Sequence, residues 1–377
     1  MMGEPPGKPM KTRLFFVALA LGLLTVTGRQ GSAQEQFPFQ IFERYLEPLV
    51  QQIGMPGLSA VIVQDDRIAW SKNYGYADVE RKIPTAIDTP YPVGGITQAM
   101  TGVLMGVCID RFQFLIDQDI RNFVPAFPVA ETRVRQVLAH ATDGRFAYNP
   151  ALYANLTSVA ESKECFSQSF RQALATEVFD RLAMTRTVPG LDLGRADGGA
   201  ARALFDERTN ERYQAVLADL PVPYRLDAKG RSFRSEYPPY GLDAANGLVT
   251  TAHDLALLQI RLNKRDGVPL SFSTIDKMWD NAAFVINRPP PTTIVMPTGL
   301  GWFVTTESGH RLVWTFGHIP NAGSALIVRL QPPENVNKKS LTLILLANSP
   351  GLVEGYDLEN AHVTTSPFVK VFLRLFI

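Results

Sequence analysis

Several residue types that mark particular chemistries are scarce in this sequence. Its 377 residues include two cysteines and five histidines, with no Cys-x-x-Cys pair and no His-Glu-x-x-His motif. Metal sites are usually built from clustered ligands of these types, so we expect no metal, and no motif calls for an organic cofactor. The formal net charge is +1, from 37 basic and 36 acidic residues. Without a basic run, we expect no nucleic-acid partner.

The longest apolar run lies near the start of the chain. The run LFFVALALGLLTV (14–26) follows two basic residues and precedes a small-residue segment that ends at Ala33. It is shorter than the roughly 20 residues of a membrane span, and the pattern is typical of a signal peptide. We predict a signal peptide over 1–33, a secreted or periplasmic mature chain from Gln34, and no membrane span after its removal. An uncleaved N-terminal anchor is the alternative.

Cys108 and Cys165 are the two cysteines. In an exported chain, two cysteines can form a disulfide. However, Cys108 lies in an apolar stretch with helical spacing, where a buried free thiol is the commoner outcome. We therefore favour buried thiols and keep the disulfide as the alternative.

The order of apolar patterns indicates an α/β protein of the α+β type. Residues 38–53 have helical spacing, and 57–78 read as a β-hairpin. The apolar residues of 96–107 fall on one helix face, and most of 110–290 gives helical signal. Four short strand-like runs lie between 300 and 348, before a closing helix. We predict an antiparallel sheet with strands from both chain ends, flanked by helices, with a mainly helical lobe inserted.

The same patterns suggest where the lobes divide. We predict one domain over 34–377, with a sheet lobe formed by 34–94 and 291–377 and a helical lobe formed by 95–290. The segment 220–241 is rich in proline and charge and is predicted to be a loop that reaches across a cleft. Clefts commonly form where two such lobes meet.

Four segments carry a family resemblance. GLSAVIVQDDRIAWSKNYGYAD looks like a first hairpin, VRQVLAHATDG like a Leu-Leu-Thr-His-Thr-Ser-Gly loop, ANGLVTTAHDLALLQ like a Gly-Leu-x-Ser-Thr-x-x-Asp-Leu helix, and WTFGHIPNAGSALIVRL like a C-terminal sheet. In this order and spacing the chain, from about residue 40 to 377, resembles the serine β-lactamase and penicillin-binding-protein superfamily. The likeness is closest to its class C β-lactamase and esterase-like branch. The resemblance implies a β-lactamase/transpeptidase-like fold.

The first catalytic element that the resemblance implies is Ser-x-x-Lys at the start of a helix, where the serine attacks a carbonyl and the lysine helps to take its proton. In YPVGGITQAM the two positions are Gly95 and Gln98. Glycine has no atom that can attack, and an amide is not a useful base. No serine elsewhere in the chain is followed three residues later by lysine. The pair has therefore not moved elsewhere under the same signature.

The second element that the resemblance implies is Tyr-x-Asn, whose tyrosine transfers protons. Tyr148 stands at the tyrosine position, while Pro150 replaces the asparagine and Asn149 lies beside it. The alternative is that Tyr148 is a packing or hydrogen-bonding residue.

The third implied element is Lys-Thr-Gly or His-x-Gly on a strand, which we place at Thr315-Phe316-Gly317, so that Thr315 replaces the basic residue. His318 follows three residues after Thr315, and strand alternation puts these two side chains on opposite faces. We favour a rim histidine. Gly317 would let a ligand backbone approach closely, and the backbone N–H groups of Gly95 and His318 would form an oxyanion pair. We predict that Gly95, Asn149, Gly317 and His318 contact ligand.

Three functional hypotheses follow. The first is an exported member of this family that is catalytically dead or impaired and keeps a cleft for a peptidoglycan-like peptide or acyl ligand. The second is an active hydrolase (β-lactamase, D-alanyl-D-alanine carboxypeptidase or esterase-like) with a rearranged site that uses Tyr148. The third is a structural module that binds a partner protein.

Overall fold

The computed structural model describes residues 1–3, 27–280, 283–286, 292–333 and 339–377. The apolar run of the predicted signal peptide therefore lies outside the described residues. The first helix begins at Thr27 and passes through the predicted cleavage point at Ala33. Within the described ranges, no helix is long and apolar enough to cross a membrane.

The strands are β1 Gly57–Gln64, β2 Arg67–Asp78, β3 Ile83–Pro84, β4 Tyr91–Pro92, β5 Tyr224–Leu226, β6 Ser232–Arg234, β7 Val249–Thr250, β8 Ala283–Ile286, β9 Thr292–Val295, β10 Phe303–Glu307, β11 His310–Ile319, β12 Gly323–Gln331 and β13 Leu341–Ala347. The helices are α1 Thr27–Ile53, α2 Ile96–Phe112, α3 Val134–Leu138, α4 Pro150–Tyr153, α5 Leu156–Glu161, α6 Phe170–Leu174, α7 Gly199–Arg202, α8 Glu207–Ala218, α9 Ala252–Lys264, α10 Phe272–Met278 and α11 Pro367–Phe376.

The apolar runs near the two chain ends form one antiparallel sheet in the order β10-β11-β12-β13-β1-β2-β3. At its centre β13 pairs with β1, so that Val61 lies opposite Ile344. This pairing joins the N-terminal hairpin to the C-terminal strands. The predicted fold class, an antiparallel sheet built from both ends of the chain, is thereby confirmed.

The sheet is covered on both faces. Alternate side chains such as Leu343 and Leu345 lie in one apolar cluster with residues of α1 and α11. The intervening ones, such as Ile344 and Leu346, lie in a second cluster with residues of α2 and α9. Every residue of β13 is buried, as expected for a strand with no solvent-facing side.

Helix α2 is the central helix of the second cluster. Its first 13 residues, Ile96 to Cys108, are all buried. An amphipathic helix would keep one polar face in water, whereas α2 is enclosed by the sheet and the surrounding helices. Its N-terminus therefore meets β11 inside the protein rather than at the surface.

The loop predicted over 220–241 is partly wrong, because its centre is the β5–β6 hairpin. Tyr224 pairs with Arg234, and Gly230 lies in the turn with a positive φ of 71°. Tyr224 is buried, and its N–H donates to the carbonyl of Asn348 at 2.8 Å. The polar composition hid this pairing, since only one residue of the hairpin is anchored in the core.

The free-thiol expectation is also wrong, because Cys108 and Cys165 form a disulfide. The helical pattern correctly placed Cys108 in a buried helix. It could not show that the chain returns to that helix 57 residues later, just after α5, with the two Cα atoms 5.3 Å apart. The bridge ties α2 to the following helical segment.

We predict that replacing both cysteines (Cys108→Ser with Cys165→Ser) lowers the free energy of unfolding by about 4 kcal/mol. The reason is that a cross-link closing a loop of this length restricts the unfolded chain. Urea denaturation of the two proteins measures the change. Dithiothreitol should lower the wild-type midpoint and leave the variant unmoved. Two freely alkylated thiols in unreduced, denatured wild type would contradict the bridge.

Candidate functional site

The candidate site lies where the start of α2 faces β11. Strand β4 leads into a tight turn at Gly94, whose φ of +49° favours glycine. The carbonyl of Gly94 accepts hydrogen bonds from the N–H and Oγ1 of Thr97, at 3.0 and 2.7 Å. These bonds form the first turn of the helix.

Gly95 is enclosed by groups from three elements. A Cβ atom added there would lie 2.7 Å from the carbonyl oxygen of Phe316, 2.8 Å from Oη of Tyr148 and 3.7 Å from Nε2 of Gln98. The first of these belongs to the backbone of β11, which cannot rotate away as a side chain can. The space that a side chain at position 95 would need is therefore already filled.

Gly317 allows β11 to approach this turn. A Cβ atom there would lie 1.8 Å from the carbonyl oxygen of Val93 and 3.2 Å from the nitrogen of Gly95. The close backbone approach expected at Gly317 is thus made by the protein's own chain. Its role toward a ligand stays a prediction.

Gln98 lies at the centre of a buried hydrogen-bond chain. Its Nε2 donates to Oη of Tyr148 at 2.9 Å, and its Oε1 lies 2.9 Å from Nε2 of His140. The N–H of Asn149 donates to Nδ1 of His140 at 3.2 Å. Since Nδ1 accepts, the ring proton sits on Nε2 and is donated to Gln98. Hydrogen-bond donation therefore runs in one direction, from the N–H of Asn149 through His140 and Gln98 to the hydroxyl of Tyr148.

Sequence reasoning missed His140, although it occupies the histidine position of the VRQVLAHATDG segment that resembles the family loop. The residue is 6% exposed, and its ring stacks on Tyr153 with centroids 4.9 Å apart. Burial lowers the pKa of His140 to about 3. The imidazole is therefore neutral near pH 7 and serves as a directional bridge.

Tyr148 is held in its protonated form. Burial raises the pKa of its hydroxyl above the ordinary range, and the carboxylate of Glu359 acts in the same direction, while the bond from Gln98 opposes them. No cation acts on it among the described residues. Its hydroxyl accepts from Gln98, so its own proton is available to donate. A neutral tyrosine of this kind is a hydrogen-bond donor, not a base.

The β11 residue that meets Tyr148 is Phe316, with ring centroids 5.2 Å apart. Thr315 is 2% exposed and lies opposite Ile327. Its side chain therefore faces the side of the sheet that α2 and α9 cover. Neither position supplies a basic group. Motif counting alone could not decide which of two adjacent strand residues faces the tyrosine.

The two remaining predicted ligand contacts lie beside this network. Asn149 accepts a hydrogen bond from the N–H of Leu152 at 3.0 Å and caps α4. His318 is half-buried, and burial lowers its pKa while Glu354 and Glu359 act in the opposite direction. Their contacts with a ligand stay predictions. Among the described residues, no cluster of histidine, cysteine and carboxylate groups could hold a metal ion.

We predict that His140 makes the protein less stable as pH falls. Its pKa is about 3 when folded and about 6.5 when unfolded, so the unfolded chain binds an extra proton between these values. Its contribution is complete above pH 6.5 and decreases below it, by about 2 kcal/mol at pH 5. Denaturation between pH 7.5 and 5 measures this slope.

His140→Gln should flatten the slope, because it removes the group whose pKa is lowered by burial. His318 contributes in the same direction, because its pKa is also lowered, so His318→Gln should remove a further part. A His140→Gln variant with the full wild-type slope would contradict the neutral bridge.

We also predict that Gly95→Ser destabilises the fold by about 1–3 kcal/mol, because it overpacks a closed space beside a backbone oxygen. The matched control is Gly199→Ser in α7, where an added Cβ atom meets nothing within 4 Å. Thermal unfolding of both variants makes the comparison. Equal melting temperatures for the two would show that position 95 is open.

The sequence pattern of the Beta-lactamase family matches residues 42–364. The mouse and human mitochondrial proteins named serine beta-lactamase-like protein LACTB are 28% identical over 86 residues, which are 23% of this chain and 16% of theirs. Protein flp of Staphylococcus aureus (strain N315) is 28% identical over 88 residues, 23% of this chain and 18% of that protein. The matched segments therefore span less than a fifth of these relatives.

Two solved structures share the fold. The octameric penicillin-binding protein homologue from Pyrococcus abyssi has a TM-score of 0.65 and 21% identity, covering 83% of this chain and 74% of that one. The penicillin binding protein from Bacillus halodurans has a TM-score of 0.61 and 13% identity, covering 88% and 98%. At such identities the likeness concerns the fold. Because the family pattern spans most of the chain, the protein belongs to the β-lactamase family.

Proposed function

We propose that this protein is an exported, catalytically impaired member of the β-lactamase family that binds acyl or peptidoglycan-like ligands without forming a covalent bond. The observation that carries the proposal is the filled space at Gly95. At the position where the family resemblance places a nucleophile, a backbone oxygen and a tyrosine hydroxyl already stand.

The proton-transfer chemistry is altered together with the nucleophile. The amide oxygen of Gln98 is hydrogen-bonded to His140, and its amide nitrogen is hydrogen-bonded to Tyr148. Tyr148 keeps its proton, and the low pKa of His140 makes it a poor base. Groups of this kind act as one unit, and removing the nucleophile of a serine hydrolase costs about a millionfold in turnover.

Ligand binding is supported by the donors that remain. Tyr148 is half-buried and has a hydroxyl proton to offer, because its oxygen accepts from Gln98. With the backbone N–H groups of Gly95 and His318, it would recognise a carbonyl or carboxylate oxygen. Acyl compounds and peptides with a free carboxyl end both present such an oxygen.

Export is supported by two independent features. The N-terminal run 14–26 is typical of a signal peptide. The Cys108–Cys165 disulfide fits an oxidising compartment, because disulfides are rare where cellular reductants keep thiols reduced.

One observation favours a structural or partner-binding module as the second candidate function. The rings of Tyr148, Phe303 and Phe316 pack together, with centroids 5.2 to 6.0 Å apart, beside the filled position. An active hydrolase based on Tyr148 would need a tyrosinate, and the raised pKa of this residue opposes one.

We predict that the mature protein, incubated with a fluorescent penicillin and a short-chain chromogenic ester, gains no covalent mass and shows no turnover. Unlabelled penicillin G should still bind saturably and reversibly, and Tyr148→Phe should weaken that binding about tenfold, as expected for one lost hydrogen bond. Intact mass spectrometry detects the covalent mass, and calorimetry measures the binding.

A stable adduct, or turnover that Tyr148→Phe abolishes, would establish the hydrolase instead. Absence of any saturable binding would favour the partner-binding module.

The variant Gly95→Ser with Gln98→Lys tests why the site is inactive. We expect no acylation, because the serine Cβ would clash with the Phe316 carbonyl and a protonated lysine cannot accept the hydrogen bond that His140 donates. Folding is checked by circular dichroism before the mass measurement. If the folded variant becomes acylated, only the missing side chains, and not the filled space, keep the wild type inactive.

A further inference from the structure

A buried arginine lies far from the candidate site on the same sheet. Arg329 in β12 is 5% exposed, and its side chain, like that of Ile327, faces the side of the sheet that α2 and α9 cover. Its guanidinium carbon lies 4.7 Å from the centre of the Trp279 ring. Nε and Nη1 have no hydrogen-bond partner. Arg329 is separated from the candidate site along β12. Ala325 pairs with Gly317 of that site, and Arg329 lies four residues beyond Ala325, roughly 13 Å away.

Further unpartnered polar atoms lie on the adjacent strand β13 and on α9, the helix that packs against β13. Thr342 lies directly opposite it on β13, fully buried, with Oγ1 unpartnered. Asn263 near the end of α9 donates to the carbonyl of Asp65 at 2.5 Å, and Asp65 accepts from the N–H of Ser340 at 3.1 Å. These contacts place the last turn of α9 over the start of β13, two residues before Thr342.

Gln259 lies one turn earlier on the same face of α9 as Asn263. It is fully buried, and both atoms of its amide are unpartnered. We call the following group the Arg329 cluster. Its unpartnered atoms are Arg329 Nε and Nη1, Thr342 Oγ1, Gln259 Oε1 and Nε2, Asn263 Oδ1 and Trp279 Nε1.

The cluster is positively charged. Burial and the nearby Arg265 lower the pKa of Arg329 to about 10, against the opposing effect of Asp65, so the guanidinium keeps its charge at neutral pH. The charge of Arg265 is matched by Asp276, 2.7 Å away. Among the described residues, no carboxylate lies within ion-pairing distance of Arg329. A buried charge without a counter-charge destabilises the folded state, and each buried polar group without a hydrogen-bond partner adds to this cost.

We propose that the Arg329 cluster binds a small inorganic anion, either chloride or a small oxyanion. An anion would pair with the guanidinium and accept hydrogen bonds from the threonine hydroxyl and the Gln259 amide. Water could satisfy the neutral groups but would leave the guanidinium unpaired. Arg329, Thr342 and Gln259 are all buried, so we expect a ligand of only a few atoms.

The test compares anions at constant ionic strength. Sodium gluconate, which is too large for the cluster, is replaced stepwise by sodium chloride, nitrate or phosphate, and the melting temperature is followed. A ligand that binds the folded state at about ten times its Kd should raise the melting temperature by about 2–4 °C. The separate salts distinguish a halide from an oxyanion.

Arg329→Met should lose the anion-dependent shift and stay folded, since replacing a buried unpaired charge by an apolar side chain is often neutral or stabilising. The matched control, Arg311→Met on the neighbouring strand, removes the same charge from an exposed position and should keep the shift. An equal shift in both variants, or none in the wild type, would overturn the proposal.

Anomalous diffraction from wild-type crystals soaked in bromide or selenate, matched to the more effective salt, gives an independent readout. A peak within hydrogen-bonding distance of the Arg329 guanidinium is the expected result. Ordered water there without an anomalous peak would overturn the proposal even if salts alter the melting temperature.

Discussion

The site depends on one amide. Gln98 accepts a hydrogen bond from His140 and donates one to Tyr148, and both directions are fixed because His140 is neutral and accepts a hydrogen bond from the backbone N–H of Asn149. An amide can bridge an N–H donor and a hydroxyl acceptor in this way, whereas a lysine offers only donors. Gln98 thus stands where the family resemblance implies a basic lysine, and it also completes the buried hydrogen-bond chain.

The surrounding backbone is consistent with that chemistry. With glycine at 95, the carbonyl of Phe316 and the hydroxyl of Tyr148 can both come closer than a side chain would permit. With glycine at 317, β11 reaches the Val93 carbonyl. The two glycines therefore let the start of α2 pack directly on the sheet. The altered side chains and the close backbone packing form one arrangement, in which changing a single residue is not enough to restore a reactive serine.

Much of the fold could be predicted from the sequence, because apolar periodicity reports burial. The β1–β2 hairpin, α2, α9 and the C-terminal strands follow their patterns. The β5–β6 hairpin and the Cys108–Cys165 bridge could not be found in this way, since each depends on contacts distant in the chain.

The site shows the same limit. The structure brings Gly95, Gln98 and Tyr148 together, and the β11 residue that packs against Tyr148 is Phe316. Motif spacing could not give this contact, because it does not show which face of β11 meets the tyrosine. The histidine position of the family-like loop does not indicate which residue His140 contacts, and only the three-dimensional structure shows that its ring bonds to Gln98.

Buried polar groups divide into two kinds in this protein. Around Gln98, neutral groups satisfy one another in a nearly closed sequence of donors and acceptors, which leaves only the hydroxyl proton of Tyr148 to donate to a ligand. Around Arg329, a charge and several amide and hydroxyl atoms are buried without such closure. Burial penalises a charge far more than a neutral dipole, so the second group needs a counter-charge that the described chain does not supply. At the position where the family resemblance places catalysis, nearly all polar groups are thus paired, whereas the proposed anion site contains a buried charge without a counter-charge among the described residues.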